Sequence, residues 1–125
     1  VFQADSSHEK LPADLEAALF RFGGDRTFML EMCQEFKDHL PSRVEELKSA
    51  LHTGDINGLS RFAHNLKGLS MNFNADPLSN LAASLEVCGK QEDLTSAPIL
   101  VEQIEKEVTR LQEYLSQQLH KLEQP

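Results

Sequence analysis

Ten consecutive residues, Arg61-Phe62-Ala63-His64-Asn65-Leu66-Lys67-Gly68-Leu69-Ser70, gather a histidine, a lysine and a glycine in one short stretch. Near neutral pH an imidazole works as a nucleophile, a base or a metal ligand. Ile56, Leu59, Ala63, Leu66, Ser70 and Phe73 recur at spacings of three and four, which predicts a helix with these residues as its buried stripe. At about 100° per residue, His64 lies roughly 145° from the middle of that stripe. Gly68 falls one turn further on, above His64 and nearly opposite the core. Lys67 falls between the two faces, close enough to reach over His64. The helix therefore shows water an imidazole, an ammonium and a patch of bare backbone. Glycine inside a helix costs about 1 kcal/mol relative to alanine, so its place beside an exposed histidine needs a reason other than helix stability.

The elements that must carry this stretch are helical throughout. No segment shows clean period-two alternation with β-branched residues. The first helix is expected from about Pro12 to Phe22, with Leu15, Leu19 and Phe22 inward and Gly23-Gly24 as its stop. Asp25 caps the second, which runs to about Leu51 on a stripe of Phe28 or Met29, Met32, Phe36, Leu40, Val44, Leu47 and Leu51. Pro41 sits inside that pattern, so a kink or break is expected there. Asp55 caps the third helix, which carries His64 and fades near Phe73-Asn74. Asp76-Pro77 reads as a cap followed by proline at the first helical position. The fourth helix then runs to about Cys88, with Leu78, Leu81, Ala82 and Leu85 inward and Gly89 as the stop. Ser96 with Pro98 opens the fifth, whose stripe is Val101, Ile104, Val108, Leu111, Leu115 and Leu119. Four long amphipathic helices with short connections predict an all-α fold: an antiparallel four-helix bundle with a short additional N-terminal helix.

Composition narrows the function. The chain has 125 residues, 40% of them apolar and 26% charged, as expected of one globular domain with a single core. No apolar run is long enough to span a bilayer and no signal-peptide pattern is present, so a cytoplasmic protein without direct membrane contact is expected. The net charge of −8 argues against nucleic acid as a partner, because phosphate backbones are bound by clustered Lys and Arg. Cys33 and Cys88 fall at or near apolar helical positions and read as two small buried thiols in a reducing compartment. The histidines His8, His39, His52, His64 and His120 are scattered, with no zinc-ligand spacing among them. No bound metal is expected.

The residues resemble a known family. Ala63-His64, Leu66-Lys67-Gly68 and Ser70 look like the signature of histidine-containing phosphotransfer (HPt) domains. The Phe22-Gly23-Gly24-Asp25 turn, the long second helix with its internal proline, and the run Leu78, Leu81, Leu85, Glu86 are similar to the same family. The family's fold is a four-helix bundle, in agreement with the periodicity. Asn74 departs from the pattern: family members usually carry glycine there, and asparagine is the next best residue for a left-handed turn.

The resemblance implies that His64 accepts a phosphoryl group from a receiver-domain aspartate and passes it to the aspartate of a response regulator. Glu86 would hold the ring Nδ1–H and fix the tautomer. Lys67 would neutralise the phosphoryl oxygens, and Gly68 would let the receiver come close. Asn57, Arg61, Asn65, Met71 and Asn72 would complete the docking face. The assisting metal, Mg²⁺, would belong to the receiver of the partner, a hybrid sensor kinase or a response regulator. No ATP-binding domain is recognisable, so the chain would be a phosphoryl carrier and not an autonomous kinase. The alternative is a non-catalytic helical interaction module that binds receivers without transfer, and a weaker third reading is the substrate domain of a chemotaxis-type kinase. Residues 1–10 are expected to be a flexible linker from a longer protein, with the domain over 11–122 and a monomer as the default state.

Overall fold

The computed structural model describes residues 10–123, so the expected linker over 1–10 lies almost wholly outside the described residues. Five helices follow one another: α1 (Leu15–Arg21), α2 (Arg26–Thr53), α3 (Ile56–Met71), α4 (Asp76–Lys90) and α5 (Ala97–Glu123). No strand occurs among the described residues. α2 packs on α3, α3 on α4, α4 on α5, and α5 back on α2. Short connections join these neighbours, so the four long helices form an antiparallel up-down bundle. The short α1 lies on α2 and is tied to the end of α3, where Arg21 Nε donates to Asn74 Oδ1 at 3.0 Å.

The expected stripes of the four long helices form the core, except that Met32, Leu51, Ile56 and Leu81 are only half-buried, at its margin. Leu40, Leu47, Leu59, Leu66, Leu78, Leu85, Ile104, Leu111 and Leu115 are fully buried. Each such side chain contributes roughly 2 kcal/mol of transfer free energy. In α2 the ambiguous first position goes to Met29, which is buried, while Phe28 stays half exposed with its edge against Phe22. Cys33 is buried, and burial pushes its thiol pKa up to about 12, which leaves it inert. Cys88 is only half-buried, contrary to its expected burial, because it lies at the margin of the α4 stripe.

Several boundaries differ from expectation. α1 starts at Leu15 and not Pro12, because the Asp14 carboxylate caps it by accepting from Ala17 N–H at 3.1 Å. α2 runs unbroken through Pro41. Proline supplies no N–H to the carbonyl four residues earlier, that of Lys37. The side-chain amide of Gln112 on α5 donates to that carbonyl at 3.2 Å instead. Asp25 and Asp55 cap α2 and α3 as expected, accepting from Phe28 and Gly58 N–H. Asp76 is not a cap but the first residue of α4; the cap position is Ala75. Gly89 does not stop α4, which continues to Lys90. At the end of α3, Asn74 adopts φ +50°, the left-handed turn that asparagine tolerates in place of glycine.

Candidate functional site

His64 projects from the outer face of α3, and its side chain is 63% exposed. The burial of Leu59, Ala63, Leu66 and Ser70 turns that face outward. From the neighbouring α4, Glu86 reaches across, with its side chain only 8% exposed. The His64 Nδ1 and Glu86 Oε2 lie 2.9 Å apart. The other carboxylate oxygen, Oε1, accepts from Lys67 Nζ at 2.8 Å. A third donor was not anticipated from sequence: Lys90 Nζ lies 3.2 Å from Glu86 Oε2. The signal for it was the four-residue spacing of Glu86 and Lys90, one turn of helix.

These contacts fix the protonation of the site. The Lys67 hydrogen bond does most to hold the Glu86 carboxyl down from 4.5 to about 2, helped by Lys90 and His64 and opposed by burial. Glu86 is therefore a carboxylate near neutral pH, and a carboxylate only accepts hydrogen bonds. The ring nitrogen facing it must donate. His64 thus carries its proton on Nδ1, and in the neutral ring Nε2 holds a free lone pair. Two ammoniums against one carboxylate leave a net positive charge around Glu86, next to the ring. The arrangement suits a nucleophilic nitrogen meeting an anionic electrophile.

Around the ring the surface is open. A Cβ built on Gly68 would meet nothing within 4 Å, so the helix surface one turn above His64 is bare. Asn57, Arg61, Asn65, Met71 and Asn72 are all exposed. His64, Asn65, Gly68 and Asn72 line a shallow cleft together with Leu69 and Arg43, the last from α2. Asn57, Arg61 and Met71 lie outside that cleft; the Arg61 guanidinium sits 5.0 Å from the centre of the Phe62 ring. Arg43 was missed, because nothing in its local sequence places it across from His64. His39 is exposed at the groove that adjoins this cleft, His52 and His120 are exposed at other points, and His8 is outside the described residues. Among the described residues no three His, Cys, Asp or Glu side chains are grouped to hold a metal ion. No described helix is long and apolar enough to cross a membrane.

The four-helix bundle has counterparts among known proteins. The sequence model of the Hpt domain matches residues 31–114, and the chain belongs to that family. The histidine-containing phosphotransfer protein B (HptB) from Pseudomonas aeruginosa PAO1 is similar in structure, with a TM-score of 0.83 and 25% identity over 90% of this chain and 98% of that one. The HPT domain of a sensor hybrid histidine kinase from Shewanella shares the fold, with a TM-score of 0.79 and 21% identity over 90% of this chain and 97% of that one. No curated protein matches the chain. Membership of the family gives the chain a phosphotransfer role in two-component phosphorelay signalling, where such domains interact with receiver domains and response regulators.

Proposed function

We propose that His64 is the phosphoryl carrier, loaded from a receiver-domain aspartyl phosphate and unloaded onto the aspartate of a response regulator. The observation that carries this reading is the Glu86 carboxylate on Nδ1, which leaves the lone pair on Nε2. That pair attacks phosphorus; the P–N bond forms as the acyl P–O bond breaks, and the receiver carboxylate leaves with its electron pair. The ring keeps its Nδ1–H and becomes cationic, and Glu86 offsets the new charge. Lys67, and Lys90 beside it, neutralise the phosphoryl oxygens. Gly68 and the exposed Asn57, Arg61, Asn65, Met71 and Asn72 form the docking face. Mg²⁺ belongs to the receiver in this reading, and the chain works in the cytoplasm as a monomer. Return of the group reverses the same steps.

The test offers phosphorylated receiver domains to the wild type and to His64→Gln. Acid-labile, base-stable label that requires His64 supports the carrier. Receivers that bind a folded wild type without labelling it would mean an interaction module instead. His64 is mostly exposed, so His64→Gln is expected to fold with a stability within about 0.5 kcal/mol of wild type.

A further inference from the structure

The cleft beside His64 has a second wall that the phosphoryl chemistry does not use. Arg43 stands there on α2, across from Asn65, Gly68 and Asn72. Its Nε is buried and has no hydrogen-bond partner. Its Nη1 reaches Glu46 at 3.2 Å, one turn along the same helix, and both side chains of that pair are more than a third exposed. An exposed pair of this kind contributes little, and a buried N–H without a partner is costly. The guanidinium presents a fork built to hold a carboxylate through two parallel N–H groups. In this molecule one prong of the fork, Nε, has no partner but is shielded from solvent, so it meets a carboxylate only when the side chain turns out of its contact with Glu46.

Arg43 also joins two surfaces. It lines the His64 cleft, and with Leu69 and Asn72 it lines the adjoining apolar groove floored by Phe22, Phe36 and Phe73. A protein that covers His64 across bare Gly68 therefore passes over Arg43. Lys67 and Lys90 sit on the α4 side of His64, drawn to Glu86. Arg43 is on the α2 side, away from that network. On a chain of net charge −8, Arg43, Arg61, Lys67 and Lys90 outnumber the nearby acids Glu35, Glu46 and Glu86, so the neighbourhood of His64 carries a small positive excess that complements an acidic partner surface.

We infer that Arg43 is a partner-recognition residue: its Nε and Nη groups bind a surface carboxylate of the receiver domain that docks over His64. This rests on the proposed carrier role. Binding the acid releases Arg43 from Glu46, satisfies the buried Nε–H, and fixes the register in which the receiver's reacting group meets Nε2. Receivers with an acidic side chain at the facing position are preferred over those without one.

The experiment compares wild type, Arg43→Lys, Arg43→Gln and Arg43→Glu, with the receiver domains used in the carrier test as donors and phosphoramidate as a donor that needs no docking. Receiver-to-His64 transfer is expected to fall about 10-fold in Arg43→Gln and further in Arg43→Glu, with weaker salt dependence in both. Arg43→Lys recovers only part, because an ammonium has no fork. Labelling of His64 by phosphoramidate stays at the wild-type rate, and thermal melting verifies that each variant folds. Equal transfer from every receiver in all four proteins overturns the inference. So does a parallel loss of phosphoramidate labelling, which would put Arg43 at the phosphoryl group or in the fold. A wild type that no receiver labels brings down the carrier role, and this inference with it.

Discussion

Gly89 on α4 stands so close to Ser60 on α3 that a Cβ at position 89 would lie 2.9 Å from the Ser60 Cβ and 3.1 Å from its Cα. His64 comes one turn after Ser60, and Glu86 comes one turn before Gly89. In an antiparallel pair those two steps run the same way along the interface. The glycine contact and the His64–Glu86 hydrogen bond are therefore successive rungs of one ladder. The missing side chain at position 89 sets the helix approach that lets Glu86 reach the ring at 2.9 Å.

Gly89→Ala is accordingly expected to destabilise the protein. The added methyl meets backbone, which cannot swing aside, and overpacking of this kind costs typically 1–3 kcal/mol. Alanine's better helix propensity offsets up to about 1 kcal/mol of that. A net loss of about 1 kcal/mol in urea unfolding is expected, with slower transfer to His64 as Glu86 is pushed away. Unchanged stability would mean that the helices separate freely at this rung.

Gly68 is the opposite case. A methyl there meets nothing within 4 Å, so Gly68→Ala is expected to raise stability by about 0.5–1 kcal/mol through helix propensity alone. Gly68→Gln fills the space above His64. It is expected to fold well, to take label from phosphoramidate, and to accept phosphoryl groups from receivers at least 10-fold more slowly, an approximate figure for steric exclusion of a docked surface. Wild-type rates from receivers would place docking elsewhere. Glycine at this position gives up stability to keep the surface open.

The two glycines mark the extent to which the sequence could be read. Periodicity located the buried stripes of all four long helices, because side chains at three- and four-residue spacings must share a face. It put Gly68 opposite the core, where the structure has it. It could not distinguish a glycine that ends a helix from one that lets two helices touch, and Gly89 is of the second kind. Pro41 shows the same limit. Its local effect is to remove a donor, but Gln112, 75 residues from Lys37 along the chain, takes over the orphaned carbonyl. The pairing of His64 with Glu86 came from the family resemblance. Lys90 was legible in the i,i+4 spacing and was overlooked. Arg43 was not legible, because its place across from His64 depends on how α2 packs against α3.

Lys67 and Lys90 share Glu86 but differ in freedom. The Lys67 side chain is 30% exposed and the Lys90 side chain 68%. The more buried ammonium works in a less screened field, so Lys67→Ala is expected to slow transfer by about 10-fold and Lys90→Ala by about threefold. Removing both should cost more than the product of the two effects, since each lysine alone can still lean toward the phosphoryl oxygens. Single-turnover transfer to the two variants and the double variant measures this. Equal effects would mean that proximity to Glu86, and not burial, sets each contribution.

Glu86 carries the pH dependence. Its carboxyl is held down from 4.5 to about 2, first by Lys67. A carboxyl whose folded pKa lies below its unfolded value stabilises the protein fully above the unfolded value, and that stabilisation is lost as pH falls toward the folded one. The wild type is therefore expected to be more stable than Glu86→Gln near neutral pH. The gap should narrow between about pH 4.5 and about pH 2, where the folded carboxylate finally takes a proton. Urea unfolding of both proteins across that window measures the gap directly. A gap that stayed constant would mean that the lysines and the imidazole gain nothing from the negative charge and use Glu86 only as a hydrogen-bond acceptor. Glutamine keeps an acceptor for the His64 Nδ1–H but cannot offset the charge of a phosphorylated ring. Glu86→Gln should thus still take label from phosphoramidate and lose it by hydrolysis faster than the wild type.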